Sequence, residues 1–323
     1  MAQDEPRLDE IRALLRELPG PDEAAAAAAQ ARQSALALPS GGLGRLGELA
    51  LWLAAWQNAG PRLERPRVAL FAANHGIAER ADADMNETAR QVQAAVGGRA
   101  AINQVAGAWD SDLRVYEMAL EQPSADFTAG PALSEADCAR ALSYGMMAVE
   151  QGFDVMGLGA IAQGGDLSAA ALCLALFGGE ASDWLPEGAP SEAAAWLAAA
   201  LEANRAALGD PLEVLRCFGG LETAAVVGAI LACRLARTPV LLDGVPALAA
   251  AAVLHAREPA LLDHCQVAQL GNDPAAERLA RRLNRRPLLD LGLTDGDGFG
   301  AALAIPLLQA AVACHTGMAS REG

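Results

Sequence analysis

The stretch Arg286–Ala304, RPLLDLGLTDGDGFGAALA, opens with an apolar run of strand length, Pro287 to Leu293. It breaks into Asp295, Gly296, Asp297, Gly298, Phe299 and Gly300, then closes in an Ala/Leu-rich run of helical character. A strand that feeds a glycine-rich loop at a helix N-terminus suits anions and other ligands. Amides point out of such a loop, and glycine lets a ligand approach the backbone. Two carboxylates inside it fit a catalytic loop. An ordinary strand–loop–helix connection with solvated aspartates fits the same local sequence.

The same pattern recurs upstream. Apolar runs of buried-strand type occupy Arg67 to Ala73, Leu113 to Leu120, Phe153 to Leu158, Pro239 to Leu242 and Gln266 to Leu270. Helical stretches lie between them: Glu87 to Ala106, Glu135 to Gln151, Leu167 to Phe177, Ser191 to Ala207, Glu222 to Ala236, Val245 to Ala256 and Pro274 to Leu283. Alternation of continuous apolar strands with helices predicts an α/β fold, a parallel sheet with helices on both faces. Before Arg67 the chain reads as helices only, at Leu8 to Leu18, Asp22 to Leu38 and Leu46 to Gln57.

Composition narrows the partners. The 323 residues are 53% hydrophobic and only 4% aromatic, so the core is built from Ala, Leu and Val. The net charge of −16 argues against nucleic acid and against an anionic membrane surface. All 24 basic residues are Arg, so no lysine can hold a phosphate or form a Schiff base. The six cysteines form no C-x-x-C pair and sit among apolar residues, which predicts buried thiols rather than disulfides or zinc ligands. The four histidines complete no metal-binding set. No apolar run of membrane-span length escapes a charge, Gly or Pro, and the N-terminus has no signal core. These features predict a cytoplasmic protein.

Ligands of doubly wound sheets bind at the carboxyl ends of the strands. Five loops therefore matter. After Ala73 comes Asn74-His75-Gly76, where a lone His serves as a structural hydrogen-bonder or a ligand contact. After Leu242 comes Asp243-Gly244, placed for ligand contact or for helix capping. After Leu158, Gly157-Leu158-Gly159-Ala160-Ile161-Ala162 matches the dinucleotide pattern G-x-G-x-x-A, with Glu180 and Asp183 downstream. Against that, Gln163-Gly164-Gly165-Asp166 delays the helix. A phosphate cradle from the Gly164 and Gly165 amides is the competing reading, and Asp166 would oppose a phosphate or cap the helix. The remaining two loops follow Leu270 and Leu293.

Taken together, the stretches Gly42 to Ala50 (GLGRLGELA), Arg67 to Ala78 (RVALFAANHGIA), Ala100 to Gln104 (AAINQ), Ser168 to Trp184, Gly219 to Gly244 and Arg286 to Cys314 resemble the nicotinate-nucleotide–dimethylbenzimidazole phosphoribosyltransferases over nearly the whole chain. The resemblance implies a large Rossmann-like α/β domain, residues 61–300, with a small helical domain from residues 1–60 and about 301–323. It implies transfer of phosphoribose from nicotinate mononucleotide to 5,6-dimethylbenzimidazole or a related base, without metal or other cofactor, by a homodimer. Asp297 aligns with the family's catalytic carboxylate. Asn74, His75, Gly76, Gln91, Gly159, Gly164, Gly165, Asp243, Gly244, Gly296, Gly298 and Gly300 fall in the substrate-binding segments.

Several site segments depart from the family pattern. Asp297 is one methylene shorter than the family's Glu, and Phe299 replaces a small hydroxyl residue. Ala160 stands where the family has Glu, and Asp166 and Leu167 stand where it has two Thr. A Gly-Thr-Gly segment and the helix with a phosphate-facing Lys are missing near Pro186 to Ser191. Gln269-Leu270-Gly271-Asn272-Asp273 replaces a His-x-Ser-x-Glu run. Arg80 is kept, but the usual base-clamp residues are missing from Ala81 to Ala89. The second reading these departures suggest is an impaired paralogue that binds a cobamide precursor or pairs with an intact homologue as a heterodimer.

Overall fold

The computed structural model describes residues 7–40, 42–150, 152–293 and 296–321. Three helices open the chain: α1 (Leu8–Leu14), α2 (Glu23–Ala35) and α3 (Arg45–Gln57). Next come β1 (Pro66–Asn74), a 3-10 turn at Gly76–Ala81, α4 (Glu87–Val96), α5 (Ala101–Ala108) and β2 (Asp112–Glu117). Helix α6 (Glu135–Met147) leads into β3 (Val155–Gln163). Helices α7 (Gly165–Phe177), α8 (Ala193–Ala203), α9 (Pro211–Phe218) and α10 (Leu221–Leu235) precede β4 (Val240–Leu242). The chain continues through α11 (Gly244–Arg257), β5 (Cys265–Val267), β6 (Gln269–Gly271), α12 (Pro274–Arg282), β7 (Leu289–Leu293) and α13 (Phe299–Gly317).

Local chemistry sets many of these ends. Asp22, Ser134, Asp210 and Asp273 each accept a backbone N–H from the first turn of α2, α6, α9 and α12. Pro211 and Pro274 follow two of those caps in first-turn positions that need no amide donor. Gly97 and Gly98 break the helix expected over Glu87 to Ala106 into α4 and α5.

Five strands pair in parallel in the order β2-β1-β3-β4-β5. The chain reverses direction across the sheet between β1 and β3, the switch point of a doubly wound fold. Residues along the strands alternate between two apolar layers. Ala69, Phe71, Met156 and Leu158 face the layer formed with α6, α7, α10 and α11. Val68, Val155 and Leu241 face the layer formed with α3, α5 and α13. Each large aliphatic or aromatic side chain so buried contributes roughly 1.5–3 kcal/mol relative to exposure.

The expected single strand at Gln266 to Leu270 is two: β5 ends the main sheet, and β6 pairs with β7 in a separate parallel ladder. The Leu288 N–H donates to the Val267 carbonyl at 2.9 Å, so this ladder is joined to the main sheet. Helix α13 is long and apolar enough to cross a bilayer by length and composition. Here its buried residues, among them Ala301, Ala304, Ile305 and Leu308, pack into the second layer against α3 and β3. Helix α2 packs on α3, whereas α1 packs on α6.

Candidate active site

A cavity of about 710 Å³ opens at the carboxyl end of the sheet, beside the switch point. Its apolar wall is Leu70 of β1, Ala160 of β3, Ala94 and Ala95 of α4, and Ile102 of α5. Its polar wall is Gln91, Gln163, Gly165, Asp166, Glu187, Asn272, Asp273, Gly296 and Asp297. Loops that follow β3, β4, β6 and β7 thus converge here. A larger groove, about 1030 Å³, lies beside α6 between Met118, Tyr144 and Met147. No residue of the 296–300 loop lines it, so volume alone does not choose the site.

The loop after β7 is fastened from three sides. The Ala160 N–H of β3 donates to the Gly296 carbonyl at 2.9 Å. Gly159 lies so close to the loop that a Cβ there would stand 2.3 Å from the Gly298 nitrogen. Gly298 has φ +84°, a left-handed turn that swings the chain into α13. The carboxylate of Asp297 accepts the Phe299 N–H at 3.0 Å, and the residue is half-buried and lines the cavity. The Gly300 N–H donates to Asp243 at 2.9 Å, and a Cβ on Gly300 would lie 2.3 Å from both Asp243 Oδ1 and Gln269 Cγ. Upstream, the Arg45 guanidinium holds the carbonyls of Arg286 and Pro287. Thr294 and Asp295 lie outside the described residues.

Asp243 is fully buried and turned away from the cavity. Sequence gave it two roles, ligand contact or capping of its own helix. It makes no side-chain cap bond to α11 and instead caps α13. Burial, reinforced by the charge of Asp297, pushes its carboxyl up to about 7, against the opposing pull of the Gly300 amide. Gly244 follows with φ +71° and packs under Gly296.

Asn74, His75 and Gly76 form a buried brace behind the cavity rather than its wall. The Asn74 amide donates to the Met85 and Leu120 carbonyls, and its oxygen accepts from Thr88 Oγ1 at 2.7 Å and from the Gln163 N–H. His75 Nε2 lies 2.8 Å from Glu222 Oε1, and both side chains are fully buried. Burial alone would raise Glu222, but the charge and hydrogen bond of His75 and the Thr223 hydroxyl hold it below its usual range. The Gly76 N–H donates to the Ser124 carbonyl, and a Cβ at Gly76 would meet that oxygen at 2.5 Å. Gln91, in contrast, is exposed on α4 and faces the cavity.

The glycine pattern after β3 resolves differently from a dinucleotide fingerprint. The strand runs on through Gln163, so Gly157 and Gly159 sit inside it. Gly164, φ +80°, makes the turn, and α7 starts at Gly165 with Asp166 exposed in its first turn. Arg80 pairs with Asp126. Among the described residues no group of three or more His, Cys, Asp or Glu is arranged to hold a metal ion. Five of the six cysteines are buried free thiols, and burial pushes Cys138 and Cys265 up to about 12.

The model of a phosphoribosyltransferase family matches residues 18–323. The nicotinate-nucleotide–dimethylbenzimidazole phosphoribosyltransferase of Sinorhizobium medicae is 46% identical over 97% of this chain and 95% of its own. The corresponding enzyme of Rhizobium meliloti is 45% identical over the same shares. The chain belongs to the nicotinate-nucleotide–dimethylbenzimidazole phosphoribosyltransferase family. The crystal structure of the Thermus thermophilus phosphoribosyltransferase of that name agrees with it at a TM-score of 0.84, with 32% identity, over 93% of this chain and 98% of that one. The Rossmann-like α/β class is therefore the family's fold as well as the observed one.

One feature beside this phosphoribosyltransferase site escaped sequence reasoning. Glu222 lies in the first turn of α10 after Gly219-Gly220, yet its partner His75 lies 147 residues away, and no local pattern announces such a pair. Glu187 and Asn272 also reach the cavity, from segments that the sequence marked only by their departure from the family pattern.

Proposed function

We propose that this chain transfers phosphoribose from nicotinate mononucleotide to 5,6-dimethylbenzimidazole or a related base, giving α-ribazole phosphate and nicotinate. One benzimidazole nitrogen attacks the anomeric carbon. A new C–N bond forms as the bond to the nicotinate nitrogen breaks. The N–H proton of the other ring nitrogen passes to Asp297, which acts as general base. The observation that carries this reading is the placement of Asp297: it lines the cavity on a loop fastened by hydrogen bonds to β3 and Asp243.

The other groups take supporting roles. Leu70, Ala94, Ala95, Ile102 and Ala160 offer the apolar surface that a flat aromatic base needs. Gln91 borders that surface with a hydrogen-bonding amide. The turn at Gly164-Gly165 and the N-terminus of α7 receive the nucleotide phosphate, because amides and the positive helix end favour an anion. Glycines 296, 298 and 300 and glycine 159 let the loop close on β3, while Asn74, His75, Gly76 and Gly244 brace it from behind. Asp166 offsets part of the attraction for phosphate.

The same reading makes the protein a cytoplasmic enzyme and a homodimer, or the partner of a homologous chain; sedimentation of the purified protein distinguishes dimer from monomer. We also infer that residues 1–60 and about 301–323 form a small helical unit on the 61–300 body; the packing of α2 on α3 and of α3 on α13 supports it, while α1 packs on α6 of that body. Chromatography of reactions with nicotinate mononucleotide and dimethylbenzimidazole is expected to show α-ribazole phosphate. Asp297→Asn is expected to lower kcat by on the order of 10²–10⁴. No product from the unaltered enzyme rejects the activity, and an Asp297→Asn enzyme at full rate rejects the base.

A further inference from the structure

A base that caps a helix is a weakened base. Asp297 accepts the Phe299 N–H at the start of α13, and the positive end of that helix favours its ionised form. An Asp is also intrinsically a slightly weaker base than a Glu. The loop geometry supplies a counterweight. Asp243, at the end of β4, sends its carboxylate under the same loop to the same helix start, where Gly300 donates to it at 2.9 Å. It is fully buried, does not line the cavity and does not cap its own helix.

We propose that Asp243 is a positioning residue for the transfer reaction: from beneath the loop it anchors the start of α13 and, through space, sustains the basicity of Asp297. This rests on the reading of Asp297 as the base. A negative charge in a buried, poorly screened position raises the proton affinity of a neighbouring carboxylate. Asp243 thereby offsets the helix end that both carboxylates share, and it never touches substrate.

The surroundings of Asp243 leave it few other influences. From β3 it meets the Leu158 carbonyl, which accepts the Asp243 N–H at 3.0 Å. From α11 it meets the backbone of Gly244, and from α13 the amides of Gly300 and Ala301. From β6 it meets Gln269, whose amide atoms and Asp243 Oδ1 are buried together without a well-formed hydrogen bond among the described residues. The amide dipole still draws the acid downward. Among the described residues, Asp297 is the charged side chain that acts on it.

The signature is a pH profile. Burial and Asp297 hold the Asp243 carboxyl at about 7, so its charge is complete only above that pH. The base is then strongest above neutrality, and kcat of the unaltered enzyme falls as pH drops through about 7. Asp243→Asn keeps an acceptor for the Gly300 amide but removes the charge. It is expected to move the acid limb of kcat down by at least about one pH unit and to lower the plateau about tenfold. Gln269→Met removes the amide that draws Asp243 down, so its limb is expected to move up.

Profiles of the three proteins, each checked for an intact thermal transition, decide the matter. Opposite shifts in the two variants support the role. An unmoved limb in Asp243→Asn, or a uniform loss at every pH, reduces Asp243 to a structural anchor and overturns it. Should Asp243→Asn fail to fold, an unmoved limb in Gln269→Met overturns it equally, and an upward shift supports it. Absence of turnover in the unaltered enzyme, or full activity of Asp297→Asn, overturns the base assignment and this role together. An inactive Asp297→Asn beside an unmoved Asp243→Asn limb overturns this role alone.

Discussion

Two helix starts face one cavity, and they are built in opposite ways. Helix α13 begins behind a loop whose first amides are taken: Phe299 donates to Asp297 and Gly300 to Asp243. Backbone from β3 touches the loop from one side and the Asp243–Gly244 connection from another. Helix α7 begins after a single left-handed glycine, Gly164, and carries the exposed Asp166 in its first turn. A helix end saturated by internal carboxylates holds chemistry in place and offers little to an external anion. A helix end at the cavity wall suits a ligand's charge, and under the proposed function the Asp166 carboxylate would weaken the hold on a phosphate there.

Substitutions at the two starts sharpen the contrast. Gly300→Ala has the largest expected effect. Its Cβ would overlap Asp243 and Gln269, which costs about 1–3 kcal/mol of stability as neighbours are pushed aside. A shift of about 1 Å at Asp297 lowers kcat on the order of a hundredfold. Thermal unfolding and steady-state rates measure both. If Gly300→Ala matches the unaltered protein in both, the loop is not held as tightly as its contacts imply.

Asp166→Asn comes next. Removing a negative charge beside the phosphate is expected to lower KM for nicotinate mononucleotide about threefold to tenfold with kcat nearly unchanged, and the gain should shrink as salt rises. A KM that stays put or increases would move the phosphate away from α7.

The smallest effect is expected at Gly165→Ala. Gly165 has no left-handed φ, and its Cβ would approach nothing nearer than Ala162 Cβ at 3.3 Å. Stability should stay within about 0.5 kcal/mol. A loss as large as that of Gly300→Ala would erase the distinction between the two helix starts.

The sequence carried the layered architecture well, because buried parallel strands write themselves as continuous apolar runs. Arg67 to Ala73 and Pro239 to Leu242 fall on β1 and β4. Gly157 to Ala162 matches a dinucleotide pattern, but the delayed helix that counted against that reading is real, and these glycines serve β3 by letting Gly298 and Ala301 pack against the strand. Sequence reading passed over α9, a short helix announced only by Asp210-Pro211. At the site, the strand–loop–helix form of the carboxylate loop was legible from its own residues, whereas its catalytic reading came only with the family resemblance. The partnership of Asp243 with Gly300, 57 residues apart, was not, since nothing local distinguishes a cap for the following helix from a cap for a distant one.

The hydrogen bond from Ala160 to the Gly296 carbonyl carries one more consequence. Ala160 lies on a central, otherwise sheltered strand, yet its amide is satisfied by the loop that carries Asp297 rather than by a neighbouring strand. Its hydrogen–deuterium exchange therefore reports how often the 296–300 loop lifts from the sheet, while amides paired along β1 and β3 report global opening. A single backbone position thus serves as a built-in clock for loop detachment, readable without substrate.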